Sequence, residues 1–175
     1  MPETLRRAEV ADAPRLSALA RWVWLQTYAD FGVRDSFVAY LDQAFGVEAL
    51  SRLIADAAGQ PMWVVEQGGH LRAWAHVDLT AACPLPGLSG PQAELCRLYV
   101  VPPAAGQGLG AALLRRLREA LPAQALWLSA WEGNADALRF YRREGARPLG
   151  ETWFELGPER HRNEVLGWSA LKEFG

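Results

Sequence analysis

Three glycines at alternate positions, Gly106, Gly108 and Gly110, stand between an apolar run and a helical pattern. A helix N-terminus gathers unpaired N–H groups and a partial positive charge, and glycines let the backbone close on a phosphate without a Cβ in the way. The segment reads as an anion cradle or, structurally, as a tight turn with close packing. A dinucleotide-binding loop is one rival, since Gly106-x-Gly108-x-x-Ala111 meets that pattern loosely. That fold expects its loop after the first strand and an acidic residue about 20 positions further on. Here the loop falls past mid-chain, and the next strand run is Leu126-Trp127-Leu128-Ser129. Two histidines, His76 and His161, can shuttle protons, but a lone histidine on a strand is more often a hydrogen-bonded packing residue. Cys83 and Cys96 are too few for a disulfide framework and lack zinc spacing, so both are expected as reduced thiols and no metal is implied.

The elements that must position the loop follow from periodicity. Residues 4–9 suit a short first strand; Asp12 is the expected cap and Pro14 the first-turn residue of a helix running to about Tyr28. Its apolar face is Leu16, Leu19, Ala20, Val23 and Trp24. Ser36 opens a second helical stretch through Val38, Leu41 and Ala44, and a third carries Ala49, Leu50, Leu53, Ile54 and Ala57. Residues 62–66 and 71–77 form a hairpin about a Gly-rich turn, and residues 93–101 are the most strand-like run, ended by Pro102-Pro103. After the glycines, Leu109, Ala112, Leu113, Leu117 and Leu121 define a helix with Arg115, Arg116 and Arg118 expected on its solvated face. Residues 125–130 form a strand, 134–143 a helix stopped by Gly145, and two late strands surround residues 153–156 and 165–168. This order predicts an α/β (α+β) fold in one domain spanning 1–175, with a mixed, mostly antiparallel sheet and helices on both faces.

Bulk properties narrow the function. With 175 residues, half of them hydrophobic, the chain can bury a proper core. A formal charge of -2 gives no basic field for nucleic acid or an anionic membrane. No run approaches the roughly 18 apolar residues of a span, and the first residues lack a leader's apolar stretch, so a cytoplasmic protein is expected.

The run Glu94-Leu95-x-Arg97-Leu98-Tyr99-Val100-x-Pro102 followed by Gly106-Gln107-Gly108-Leu109-Gly110 closely resembles the acetyl-CoA-binding motif of the GNAT superfamily. Residues 127–145, with Asn134, the Phe140-Tyr141 pair and Gly145, are similar to that family's next segment. Trp-Leu-x-x-Trp-Glu-x-Asn and residues 150–157 further resemble the PaiA-type polyamine (spermidine/spermine) acetyltransferases.

The resemblance implies an N-acetyltransferase that moves the acetyl group of acetyl-CoA directly to a primary amine. In such a family member the glycine loop, Gly106 to Ala111, would cradle the pyrophosphate. The strand before it would splay from its neighbour, so that Leu98, Tyr99 and Val100 hold the pantetheine arm and its carbonyl. Tyr141 would return a proton to the departing thiolate, and Asn134 would bond the pantetheine or simply cap its helix. Glu94, eleven residues before Ala105, matches the catalytic glutamate of histone-acetylating members and is the first choice to deprotonate the amine; Glu132 and Asp78 rank behind it. The family usually carries Gln or Arg at Ala105 and often a basic residue at Gln107, so a side-chain phosphate contact is lost unless Arg115 or Arg116 replaces it. Asp30, Asp35, Asp42 and Glu48 fall in the region resembling the acceptor-side wall, which makes a polyamine the expected small-molecule acceptor. The alternatives are a protein N-terminal or lysine acetyltransferase and a non-catalytic acetyl-CoA sensor; a homodimer is the default assembly.

Overall fold

In the computed structural model, which describes residues 3–171, the elements run in the order β1 (Glu3–Arg7), α1 (Ala13–Tyr28), α2 (Asp35–Phe45), α3 (Val47–Ala55), β2 (Met62–Gln67), β3 (His70–Asp78) and β4 (Gln92–Val100). They continue as α4 (Leu109–Ala120), β5 (Ala125–Trp131), α5 (Ala135–Arg143), β6 (Arg147–Leu156) and β7 (Glu159–Trp168). Leu16, Leu19, Ala20 and Trp24 recur at helical spacing along α1 and are all buried, so this helix lies on the sheet by its apolar stripe. Helices α2 and α3 pack beside it, while α4 covers β2 to β4 through Leu109, Leu113 and Leu117. The predicted mixed sheet flanked by helices is what forms.

Asp12 departs from expectation in its bonding. It stands at the N-cap position of α1 as expected, but its side chain makes no capping bond to that helix; its carboxylate accepts the Glu9 N–H at 2.9 Å and the guanidinium of Arg6 at 2.7 Å and 2.9 Å. Arg15 also reaches it, and Arg6 extends to Glu66 on β2. The side chain is 2% exposed, and the Arg6 guanidinium, ahead of the smaller bonds, holds its carboxyl at about 2 against the opposing cost of burial. This network ties the start of α1 to β1 and β2. It thereby fixes the axis along which Trp24 and Tyr28 are carried.

The sheet order is β1-β2-β3-β4-β5-β7-β6. Every neighbouring pair is antiparallel except β4 and β5. That parallel pairing covers only Gln92↔Ala125, Ala93↔Leu126 and Glu94↔Trp127. Beyond Glu94 the two strands part, although β4 stays paired with β3 as far as Ala73↔Val100 and β5 with β7 as far as Trp131↔Asn163. A wedge therefore opens in the middle of the sheet. A bulge at Cys96, between the pairs Val77↔Leu95 and His76↔Arg97, adds one residue to β4 at the point where the wedge begins.

Candidate active site

The direction of the backbone groups along β4 follows from one bond. Val101 donates its N–H to the Arg72 carbonyl at 3.0 Å, so in an antiparallel ladder residues 97, 99 and 101 turn their polar groups to β3. Leu98 and Val100 turn theirs the other way, into the wedge left by β5. With Tyr99 these are the residues expected to hold a pantetheine arm, and a narrow cavity of about 150 Å³ runs beside Leu98 and Tyr99. Its other walls are Leu128, Ser129 and Ala130 of β5, Trp24 and Tyr28 of α1, and Asn134 and Tyr141.

At the end of β4, Gly106 and Gly108 have φ of +75° and +83°, a region that L side chains rarely adopt. A Cβ at either position would meet no heavy atom within 4 Å, so the space in front of this backbone is open. No side chain caps α4, and its first backbone bond runs from Ala112 to Gly108 at 3.0 Å. The N–H groups of Gly108 to Ala111 are those a helix leaves unpaired. This open, donor-lined turn fits a diphosphate. Gly110 serves packing instead, since a Cβ there would stand 3.3 Å from Phe140 Cζ and its small size lets α5 approach.

The side chains around the loop partly answer the missing basic residues. Gln107 binds back to the Pro103 carbonyl at 3.0 Å and receives Arg72 at 3.1 Å, which brings one guanidinium to the loop's edge. Arg115 and Arg116 are exposed, whereas Arg118 bonds the Ser169 carbonyl and lies over Trp168, which leaves it a structural role.

Tyr141 meets Phe140 and Trp168 edge to face, and burial raises its hydroxyl well above the ordinary tyrosine value. A phenol so placed stays protonated at neutral pH and is a donor rather than a base. Asn134 accepts the Ala137 N–H at 3.2 Å and so caps α5 while also lining the narrow cavity. Tyr28, which sequence reasoning passed over, lines the same cavity, and its hydroxyl is pushed up to about 12 by burial and by Tyr40.

The narrow cavity joins a larger one of about 410 Å³, with Trp24, Tyr28, Cys96, Arg97, Tyr99 and Ser129 common to both. The larger cavity has aromatic walls, Phe37, Tyr40, Trp131 and Phe154, and its rim carries Glu94, Arg34 and His161. Glu94 stands directly opposite Asp78 across β3 and β4. Burial first, then the like charge of Asp78, raises the Glu94 carboxyl above the usual carboxylate range, with Arg97 opposing. A half-buried carboxylate shifted this way is suited to take a proton from an ammonium near neutral pH. Burial drives the Cys96 thiol up to about 12, so it is no nucleophile at neutral pH.

The other carboxylate candidates are engaged by partners of their own. Glu132 is engaged by Arg162 at 2.6 Å, and Asp78 accepts the Thr80 N–H and hydroxyl at 2.7 Å and 2.6 Å. The acidic acceptor wall expected from Asp30, Asp35, Asp42 and Glu48 does not form. Asp42 pairs with Arg21 and Glu48 with Arg52 on exposed helix surfaces, Asp30 borders a separate surface hollow, and Asp35 begins α2. These positions follow from the amphipathic helices, which turn their charged faces outward from the sheet.

Of the histidines, His76 is a packing residue. It is 3% exposed, burial and Arg97 hold it neutral with a value near 3, and it stands in hydrogen-bond contact with Gln60 at 2.7 Å and Arg97 at 2.8 Å. His161 lines the large cavity with a buried Nε2 that makes no hydrogen bond; Glu159 lies 3.2 Å away but out of line. Asn163, 8% exposed, also lines the cavity; its Oδ1 is buried without a hydrogen bond, and its Nδ2 reaches Ser129 at 3.4 Å. Asn163 carried no signal in the sequence, and Arg97 stood there only as a member of the strand motif, although a charged residue within a strand-like apolar run is a local inconsistency of the kind that marks sites.

A parted parallel pair, a free-amide glycine turn at its end and a half-buried carboxylate where the two strands part are the features of an acyl-CoA-using transferase. The acetyltransferase (GNAT) family model matches residues 16–146, and the chain belongs to that family as an acetyl-CoA-dependent N-acetyltransferase. An uncharacterised N-acetyltransferase of the pepI 3' region in Lactobacillus delbrueckii subsp. lactis is 23% identical over 158 residues, 89% of this chain and 90% of the relative. The fold matches the PaiA N-acetyltransferase of Thermoplasma acidophilum, solved with coenzyme A, at a TM-score of 0.71 and 18% identity, covering 94% of this chain and 98% of that one. Salmonella typhimurium yncA, solved with its cofactor acetyl-CoA, matches at 0.67 and 20% identity over 100% of this chain and 97% of its own. Among the described residues no helix is long and apolar enough to cross a membrane.

Proposed function

We propose that the chain acetylates a small primary amine, with the acceptor in the aromatic cavity and the pantetheine arm in the wedge between β4 and β5. The observation that carries this is the wall the two cavities share: the wedge cavity beside Leu98 has Trp24, Tyr28, Cys96, Arg97, Tyr99 and Ser129 in common with the space that Glu94 lines. When bound, acetyl-CoA supplies a thioester whose C–S bond breaks as the amine nitrogen bonds the acetyl carbon. Glu94 takes the proton that the ammonium must lose, the inward backbone of Leu98 and Val100 steadies the acyl oxygen, and Tyr141 holds the proton owed to the departing sulfur. The turn from Gly106 to Ala111 anchors the diphosphate, with Arg72 and Gln107 at its edge. Asn134 lends its helix cap to the same wall. Residues 1–175 act as one catalytic unit in this scheme, and the two free thiols suit a reducing, cytoplasmic setting.

A polyamine, which the PaiA-like segments suggest, draws no support from the charges, since the carboxylates on which it rested point away from the cavity. The test is thiol release from acetyl-CoA across spermidine, diamines, amino acids and short peptides, with the product confirmed by mass. Amine-dependent release with a one-acetyl mass gain is expected. Acetyl-CoA binding with no amine-dependent release from any acceptor would overturn the proposal and leave a sensor.

A further inference from the structure

Arg97 is the unusual charge of this site. It lines the large cavity from β4, yet among the described residues no carboxylate oxygen lies within 4.0 Å of its guanidinium, not even that of Glu94. The second arginine of the cavity, Arg34, is neutralised by both oxygens of Glu159. Arg97 is instead steered by neutral partners: Gln60 accepts from His76 Nε2, which leaves Nδ1 to accept from Arg97 Nη1, and the guanidinium lies 5.2 Å from the centre of Phe45. One of five N–H groups is used in that contact. A part-buried cation held in place without an anion is costly to keep, and it is completed most simply by an anion that arrives with the ligand.

We infer that Arg97 holds the carboxylate of an α-amino acid acceptor, whose amine then meets Glu94 and whose apolar side chain rests on the aromatic wall. This rests on the amine-acetylating reading above for the role of the ligand, and it names the class of ligand. Three features set that class. The lone guanidinium repels a polyamine and offers a fork that a carboxylate fills with two parallel bonds. The walls formed by Trp24, Phe37, Tyr40 and Phe154 suit an apolar or aromatic side chain. Asn163 lines the same cavity and adds a polar side chain beside Glu94 on the ammonium's side. A peptide N-terminus lacks a carboxylate beside its amine and would leave Arg97 bare. His76 acts through Arg97 as a positioning residue.

The test uses two readouts. The first is kcat/KM for apolar α-amino acids, each against its own carboxamide. Wild type is expected to favour the acid by about 10- to 100-fold, the worth of charge-assisted bonds. The variant R97Q should erase the preference through KM for the acids while leaving the carboxamides within roughly threefold when both are assayed on the pH plateau above the acid limb, since losing Arg97 also raises Glu94; R97K, which keeps charge but not the fork, should fall between. The second readout needs no turnover: calorimetric binding, with coenzyme A present, of N-acetyl-L-phenylalanine against N-acetylphenethylamine. Selective binding of the acid, lost in R97Q, supports the carboxylate site even if acetyl transfer itself fails. Equal binding of the two by wild type, or an R97Q loss that falls equally on acids and carboxamides, overturns it. Thermal melting of both variants checks that they fold.

Discussion

Gly108 is the position where the cradle can be tested by a single methyl group. Its φ of +83° puts Gly108→Ala under left-handed strain, and because no heavy atom lies within 4 Å of the added Cβ there is no clash to add. Strain alone is worth about 1–2 kcal/mol, or a fall of roughly 2–8 °C in Tm for a chain of this size. In the loaded protein the same methyl enters the space where a diphosphate would approach the unpaired amides. Loss of one charge-assisted bond of about 1.5–3 kcal/mol then weakens coenzyme A by about 10- to 100-fold. Gly90 is the control: its φ is +76° and its Cβ space is equally open, but it lies in the loop before β4. Calorimetry with coenzyme A and with pantetheine, which lacks the phosphates, separates the effects. G108A should lose coenzyme A affinity and keep pantetheine affinity, while G90A shows only the fall in Tm. If G108A melts lower yet binds coenzyme A like wild type, the loop is a turn and not a cradle.

Three further outcomes follow from the same geometry. Y141F should lower kcat by about 100-fold or more with little change in KM for acetyl-CoA, since a general acid acts in the transition state; unchanged kcat would move the proton donor to Tyr28. The acid limb of the kcat/KM profile should lie above the ordinary carboxylate range because Glu94 must be ionised to act, so activity rises with pH through its raised pKa. E94Q abolishes that limb, and D78N, by removing the facing like charge, shifts it to lower pH; a limb indifferent to both would exclude Glu94 as the base. For stability, Asp12 is held at about 2 against an ordinary 3.8, so it contributes above pH 4 and its contribution, about 2 kcal/mol, is lost as pH falls from there through about 2. D12N should lose that amount in urea unfolding at pH 7 and show a flatter stability curve over this acid range.

The parts of the site that a sequence displays are the local ones. Positive φ, an uncapped helix start and a strand followed by a helix are properties of short segments, so the glycine loop was legible from residues 94–111, whereas Leu98 and Val100 were expected only through the family resemblance. Trp24 was legible as core for the same reason, since helical spacing marks its face; that this face also forms the wall of a cavity depends on where β4 and β5 part. The bulge at Cys96 left no mark in the pattern, because an extra residue in an apolar run does not break it, yet it decides which of residues 96–100 meet the wedge.

The acceptor side was illegible for a stricter physical reason: its chemistry is set by which charges stay unpaired, and pairing joins distant segments. Counting acidic residues in the early helices predicted a cationic acceptor, but Asp42 and Glu48 answer arginines on their own surface, and Arg34 is answered by Glu159 from β7, 125 residues away. The charge that a ligand meets is the remainder after those pairings. Here the remainder is Arg97, fixed by His76 from the neighbouring strand, and Glu94, lifted by Asp78 across the same ladder. One β3–β4 hairpin partner thus aims the cation and another tunes the base, two residues apart on β3. A substitution in that strand should therefore change acceptor choice and pH dependence separately: H76N should blunt the preference for acids over carboxamides without moving the acid limb, whereas D78N should move the limb and keep the preference. If either variant altered both properties alike, the strand would be merely a scaffold and the division of labour between His76 and Asp78 would fail.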